Sequence, residues 1–258
     1  MISLYTGTPG SGKSLHLAER LYWRIKNKRG LVVCNFEIAL ESINKGKKHK
    51  SEFALLDNDE LTALHLEEIA YDYAMRNNKV RDNRNCVKEG EILLVIDECQ
   101  LIFNSRDWQR GDRNAWLKFF TQHRKYGYDI ILVAQFDRMI DRQIRSLVEY
   151  EWIHRKISNF GFWGKLVSLL FARGQLFSCA EIWYPMKEKI SSYFFKGKQR
   201  YFDIYDTRKM FGGAMQCAGG IKGPPEALHR TDEPDIAKPE DLEKLVLQIK
   251  ELQEEKTA

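Results

Sequence analysis

Gly7-Thr8-Pro9-Gly10-Ser11-Gly12-Lys13-Ser14 meets the spacing G-x-x-x-x-G-K-[ST] at every fixed position. Each residue type has a physical task in that pattern. Glycines let successive backbone N–H groups curl around a phosphate, and the helix that follows adds the positive end of its dipole. Lys13 reaches the terminal phosphates, and the Ser14 hydroxyl is the candidate ligand for Mg²⁺. A second constellation is Leu93-Leu94-Val95-Ile96 followed by Asp97 and Glu98. A buried parallel strand tipped by acids delivers carboxylates to the crevice at its carboxyl end. Asp97 is thus the second candidate metal residue, acting through the water shell of Mg²⁺, and Glu98 the candidate to polarise the water that attacks the γ-phosphate. A third apolar run, Ile130 to Ala134, ends in Gln135, an amide suited to contact the γ-phosphate or that water. With no guanine-specificity motif of the N/TKxD type after the acid-tipped strand, ATP is favoured over GTP.

Such side chains need strands and helices to hold them. Ile2 to Thr6 reads as a strand entering the Gly-rich turn, and Lys13 to Lys28 has helical spacing with Leu17, Leu21 and Ile25 on one side. Leu31 to Phe36 is a buried-strand run. Asp59 to Met75 reads as a helix capped by Asp57 or Asn58. Asn77 to Gly90 reads as a charged loop or helix extension, and Ile92 to Ile96 as the most hydrophobic strand. Asn114 to Lys125 and Arg138 to Val148 read as helices on either side of the Ile130–Ala134 strand. Alternation of this kind predicts an α/β fold with a parallel sheet covered on both faces. The order of tipped strands matches P-loop NTPases with an extra strand, here the Gln135 strand, between the phosphate-loop and acid-tipped strands. After Glu149 the chain turns aromatic. Tyr150–Ile157, Ser178–Tyr184 and Tyr201–Tyr205 read as strands, either an antiparallel extension of the sheet or a small subdomain. The expected organisation is a P-loop domain over 1–210, with 149–210 its β-rich part. A Gly/Pro linker over 211–238 and an amphipathic, acidic helix over 239–258 follow.

The 258 residues carry a net charge of +5, unevenly spread. Nine acids and four bases lie between Asp232 and Lys256, so the remainder holds +10. A basic body favours phosphates, nucleic acid or anionic lipid, though a solvated lysine surface is the commoner explanation. The polar segment Glu41–Lys50 holds the cluster Lys45, Lys47, Lys48 and Lys50. Five scattered cysteines without C-x-x-C spacing point to a reducing compartment and away from a zinc site. With no signal-like start and no run of about 18 uncharged apolar residues, the chain reads as cytoplasmic, with peripheral membrane contact open. The most apolar stretch, Phe160 to Trp183, is broken by Lys165 and Arg173.

The opening MISLYTGTPGSGKSLHLAERLY, the segment LLVIDECQLIF and the run FFTQHRKYGYDIILVAQFDRMIDRQIR together resemble the zonula occludens toxin-like (Zot) family, over roughly residues 1 to 200. The resemblance implies a P-loop ATPase domain of the kind found in filamentous-phage assembly, which energises virion export at the cytoplasmic face of the host membrane. It also implies partners among phage coat or membrane assembly proteins and, by motor logic, a homo-oligomer. In the family a membrane-spanning helix and a periplasmic segment usually follow. None is visible beyond Tyr205, which implies a shortened chain or a branch without its own anchor. Arg106, Arg110, Arg113, Arg124, Arg138, Arg142 and Arg145 surround the acid-tipped and Gln135 strands. Arg124, inside the third family-like block, is the first candidate for an arginine finger that reaches a neighbouring subunit's phosphate. The alternatives are a DNA-packaging or conjugation-type ATPase, and a non-hydrolysing nucleotide switch that recruits coat or channel proteins.

Overall fold

Strand β1 (Ile2–Thr6) is buried along its whole length, which only a sheet covered on both faces permits. It runs through the Gly-rich loop into α1 (Lys13–Asn27). This helix presses Leu17, Leu21 and Ile25, each fully buried, onto one face of the sheet. At about 1.5–3 kcal/mol per buried side chain, that stripe is what holds the helix to the sheet. Next come β2 (Leu31–Cys34), β3 (Glu52–Leu55), α2 (Ala63–Asn77) and a two-residue pair, β4 (Val80–Arg81) with β5 (Cys86–Val87). Strand β6 (Ile92–Ile96), α3 (Arg113–Gln122), β7 (Tyr128–Val133) and the one-turn α4 (Arg142–Arg145) complete the central part. Then follow β8 (Tyr150–Lys156), β9 (Leu176–Trp183), β10 (Glu188–Lys196) and α5 (Gln199–Phe202).

The computed structural model describes residues 1–27, 30–40, 43, 50–81, 86–106, 111–160, 175–202 and 204. All belong to one unit, Met1–Gly213. The expected linker over 211–238, the helix over 239–258, Lys45, Lys47, Lys48, Arg110 and residues 161–174 of the apolar stretch lie outside the described residues. Among the described residues no helix is long and apolar enough to cross a membrane.

The sheet runs β10-β9-β8-β1-β7-β6-β2-β3. From β8 to β3 all neighbours are parallel, and β9 and β10 add antiparallel at the other edge. Strand β7 therefore lies between β1 and β6, with Leu4 opposite Leu132 and Leu94 opposite Ile130. The two-residue pleat sends alternate side chains to opposite cores. Leu94 and Ile96 join Trp116, Phe119 and Phe120 of α3 on one face. Leu93 and Val95 join Leu17, Leu21 and Ile25 of α1 on the other.

Several expectations shift. Helix α2 starts later, because Thr62 caps it by accepting from His65 N at 3.2 Å. Asn58, expected as a cap, instead accepts a hydrogen bond from Asn35. The helix expected over Arg138–Val148 is a 3₁₀ turn followed by α4. Extended Ile140 interrupts it, and Asp141 then caps α4, accepting from Gln143 N at 2.8 Å and from Ile144 N at 3.3 Å. Tyr201 is in a helical turn, and the third aromatic strand is Glu188–Lys196, joined to β9 by a tight turn. The aromatic segment extends the main sheet, and its first strand pairs parallel to β1.

Candidate functional site

Parallel strands all deliver their carboxyl ends to one edge of the sheet, so the loop after β1, the acids after β6 and the amide after β7 meet there. Pro9 to Leu15, Ala18, Asp97, Glu98 and Gln135 line one cleft of about 370 Å³ together with Phe177, Tyr201 and Phe202. Thr8 stands beside it, its carbonyl accepting from Ser11 N at 3.1 Å and closing the loop's turn. Gly7 N donates to the Gln135 carbonyl at 3.1 Å, which ties the loop to the tip of β7. Two glycines are required by contact as well as by conformation. Gly7 has φ +145°, and a Cβ there would lie 2.6 Å from the His154 carbonyl oxygen. Gly12 has φ +96°, and a Cβ there would lie 2.7 Å from the Phe177 ring.

The loop fits a phosphate. The Ser11 hydroxyl is buried with no hydrogen-bond partner among the described residues, a cost that an anion seated in the loop removes. Lys13 Nζ donates to the loop's own carbonyls, Gly7 O at 2.6 Å and Thr8 O at 3.3 Å. Burial lowers its pKa, opposed by the nearby Glu98 and Asp97 carboxylates. Ser14 and Asp97 both line the cleft, and a hydroxyl and a carboxylate oxygen are hard ligands that could hold Mg²⁺ there.

The acids are held by residues that motif reading passed over. Asn35, at the end of β2, grips the Asp97 backbone from both sides: its Oδ1 accepts from Asp97 N at 2.8 Å and its Nδ2 donates to Asp97 O at 2.9 Å. The same Nδ2 donates to Asn58 Oδ1 at 2.9 Å. Asp97 turns its own carboxylate back to accept from Glu98 N at 2.8 Å. Glu98 stands in the left-handed region, φ 47° and ψ 42°, and its carboxylate accepts from the Gln100 side-chain amide. Gln100, in the LLVIDECQLIF block, had a sequence signal of position only: two residues past an acid, on the turn that the acid opens. Asn35 and the aromatic wall of Phe177, Tyr201 and Phe202 had none, since they reach the cleft through pairing of distant strands and the packing of α5 on α1.

Arg124 is not brought to this cleft. It lies before β7, at the amino-terminal end of the sheet, and its guanidinium pairs with Glu149 at 2.9 Å. Arg113 is also engaged elsewhere, with Asp141 at 2.8 Å. Arg106 and Arg138 are exposed and line a neighbouring groove with Gln100, Phe136 and Asp137.

A parallel sheet with the Gly-rich loop after one strand, an acid pair after another and one strand inserted between them defines a P-loop NTPase fold. Comparison with known proteins makes the assignment more particular. The family model described as Zonular occludens toxin (Zot) matches residues 1–208, and the chain belongs to that family. It is similar to the Gene 1 protein of Enterobacteria phage I2-2, 28% identical over 222 residues, which are 81% of this chain and 57% of that protein. It is 32% identical over 173 residues to the Gene 1 protein of Salmonella phage IKe, covering 66% of this chain and 44% of that one. The chain thus spans about half the length of the curated relatives it matches. A solved structure, the N-terminal domain of zonular occludens toxin from Neisseria meningitidis, aligns with a TM-score of 0.49 at 18% identity, over 80% of this chain and 98% of that one.

Proposed function

We propose that the chain is an ATP-hydrolysing motor for phage assembly and virion export, working as a homo-oligomer at the cytoplasmic face of the host membrane. The observation that carries this reading is the convergence of Lys13, Ser14, Asp97, Glu98 and Gln135 on one cleft beside a phosphate-shaped loop. The loop N–H groups and Lys13 bind the phosphates, exchanging the lysine's contacts with Gly7 and Thr8 for phosphate oxygens. Ser14 and Asp97 hold Mg²⁺, which when bound neutralises charge on the phosphates. Glu98 accepts a proton from the attacking water, and Gln135 orients it. Phe177, Tyr201 and Phe202 provide an apolar wall for the base. The ATPase domain is assigned to 1–210, with 211–238 as linker and 239–258 as a contact for a coat or membrane assembly partner.

The test is steady-state turnover of Mg-ATP by wild type, Lys13→Ala and Glu98→Gln, with nucleotide affinity measured separately. Lys13→Ala is expected to abolish nucleotide binding. Glu98→Gln is expected to keep binding and lose about 10²-fold or more in turnover. Nucleotide binding without turnover in wild type favours the non-hydrolysing switch, and turnover unchanged in Glu98→Gln removes Glu98 as the base. The exposed Arg106 and Arg138 beside Phe136, in a groove of about 650 Å³ that is also lined by Gln100, favour a second reading, a motor that moves DNA. That reading predicts DNA-stimulated turnover with affinity falling steeply in salt.

A further inference from the structure

Behind the phosphate loop, α1, β8 and β9 bring together His16, His154 and Cys179, all three buried. Their ligand atoms lie within 4.8 Å of one another, the sole such grouping of His, Cys and acidic side chains among the described residues. His154 and Cys179 are directly opposed in the β8–β9 ladder, and His16 is three residues beyond Lys13 on α1. His16 Nδ1 lies 2.7 Å from His154 Nε2, and Cys179 Sγ lies 4.0 Å from His16 Nδ1. The outer nitrogen of each ring is oriented by a partner. His154 Nδ1 donates to the Thr6 carbonyl at 3.0 Å, and His16 Nε2 bonds the Tyr193 hydroxyl. Fixing the far nitrogen of each imidazole so that the near one points inward is the arrangement that surrounds metal-bound histidines.

We propose that His16, His154 and Cys179 form a binding site for one closed-shell ion of soft or borderline character, Zn²⁺ or Cu⁺. One thiolate and two imidazoles suit these ions and offer no oxygen ligand for Mg²⁺ or Ca²⁺. With bonds of about 2.0–2.1 Å to nitrogen and 2.3 Å to sulfur, tetrahedral angles separate the ring nitrogens by roughly 3.3 Å, so the His16–His154 contact opens by about half an ångström. The protons balance. Thr6 O can only accept, so His154 carries its proton on Nδ1 and presents a lone pair at Nε2. In the ion-free chain His16 therefore donates from Nδ1 to His154 and accepts from Tyr193 at Nε2. On binding, the His16 proton moves from Nδ1 to Nε2 and is donated to the Tyr193 oxygen, whose own hydrogen turns aside. Cys179 releases its thiol proton to solvent, so each ion bound frees one proton. The ion joins the first turn of the phosphate-binding helix to the strand whose backbone touches Gly7, and so clamps the base of the loop.

The site is tested without nucleotide, so its outcome is independent of the ATPase reading. The full chain, stripped of metal, is incubated with Zn²⁺ or, under reducing conditions, Cu⁺, then dialysed, and metal per chain is measured by mass spectrometry. Wild type and Cys86→Ser are expected to retain about one equivalent of one ion, and Cys179→Ser to bind at least tenfold more weakly. Co²⁺ is the spectroscopic probe in wild type, where a thiolate-to-cobalt charge-transfer band is expected and needs no folded variant. The proposal is overturned if wild type retains well below one equivalent of both ions, if Zn²⁺ is the ion retained and the cobalt band is absent, or if Cys179→Ser folds and binds as wild type does. The Tyr193–His16–His154–Thr6 chain is then a closed hydrogen-bond network and nothing more.

Discussion

Asn35→Ala tests whether the acids are held by the strand beside them. Asn35 is 4% exposed, and its amide makes three hydrogen bonds, two to the Asp97 backbone and one to Asn58. Three bonds at about 1 kcal/mol net, plus roughly 1–3 kcal/mol for buried groups that lose a partner, give an expected destabilisation of about 4–6 kcal/mol. Urea unfolding measures that quantity. Turnover measures the second consequence. Asn35 does not line the cleft, so nucleotide binding is expected to stay within about threefold, while turnover falls at least tenfold as Asp97 and Glu98 lose their fixed position. Destabilisation below about 1 kcal/mol would refute the energetic account, and full destabilisation with unchanged turnover would refute the positioning role.

Gln100→Leu removes the donor to Glu98 without touching the cleft, and about tenfold slower turnover at unchanged ATP affinity is expected from stopped-flow and steady-state assays. Gly12→Ala forces a side chain into φ +96° and against the Phe177 ring; thermal denaturation and nucleotide titration should show it destabilised by about 2 kcal/mol and impaired in binding. Arg124→Ala breaks a pair whose side chains are 57% and 31% exposed, so a stability change below about 1 kcal/mol is expected by urea unfolding. A loss of about 10³ in its turnover would show that Arg124 reaches another subunit's phosphate. Asp141→Ala removes the cap of α4 and the partner of Arg113, and a cost of about 2–3 kcal/mol is expected.

Much of the architecture was legible because short periods carry it. The Gly-rich loop, the apolar run before Asp97 and the stripe on α1 are local patterns, and each corresponds to an element within a residue or two. Edges were harder to read. Strand β3 is half exposed, so its sequence lacks the continuous apolar run of the central strands. The cap of α2 went to Thr62, since Asn58 is drawn into the Asn35 bridge by a tertiary contact that local propensity does not contain. The same reason explains the aromatic tail, where Tyr201 packs as a helical turn against α1 with its hydroxyl donating to Glu19 at 2.9 Å.

Chemistry divides along the same line. That Lys13, Ser14, Asp97 and Glu98 share one cleft was legible from spacing alone, because a Gly-rich loop is contiguous and an acid needs only a buried strand to carry it there. Gln135 needed the strand order as well, which puts β7 beside β1 and lets Gly7 bond its carbonyl. Five cysteines without a pattern pointed away from a zinc site, and the proposed co-ligands of Cys179 are histidines 25 and 163 residues distant in the chain. Spacing rules see ligands that share a loop or a helix. A site assembled across three elements exists only once the sheet has paired, and that pairing is decided by burial over the whole chain.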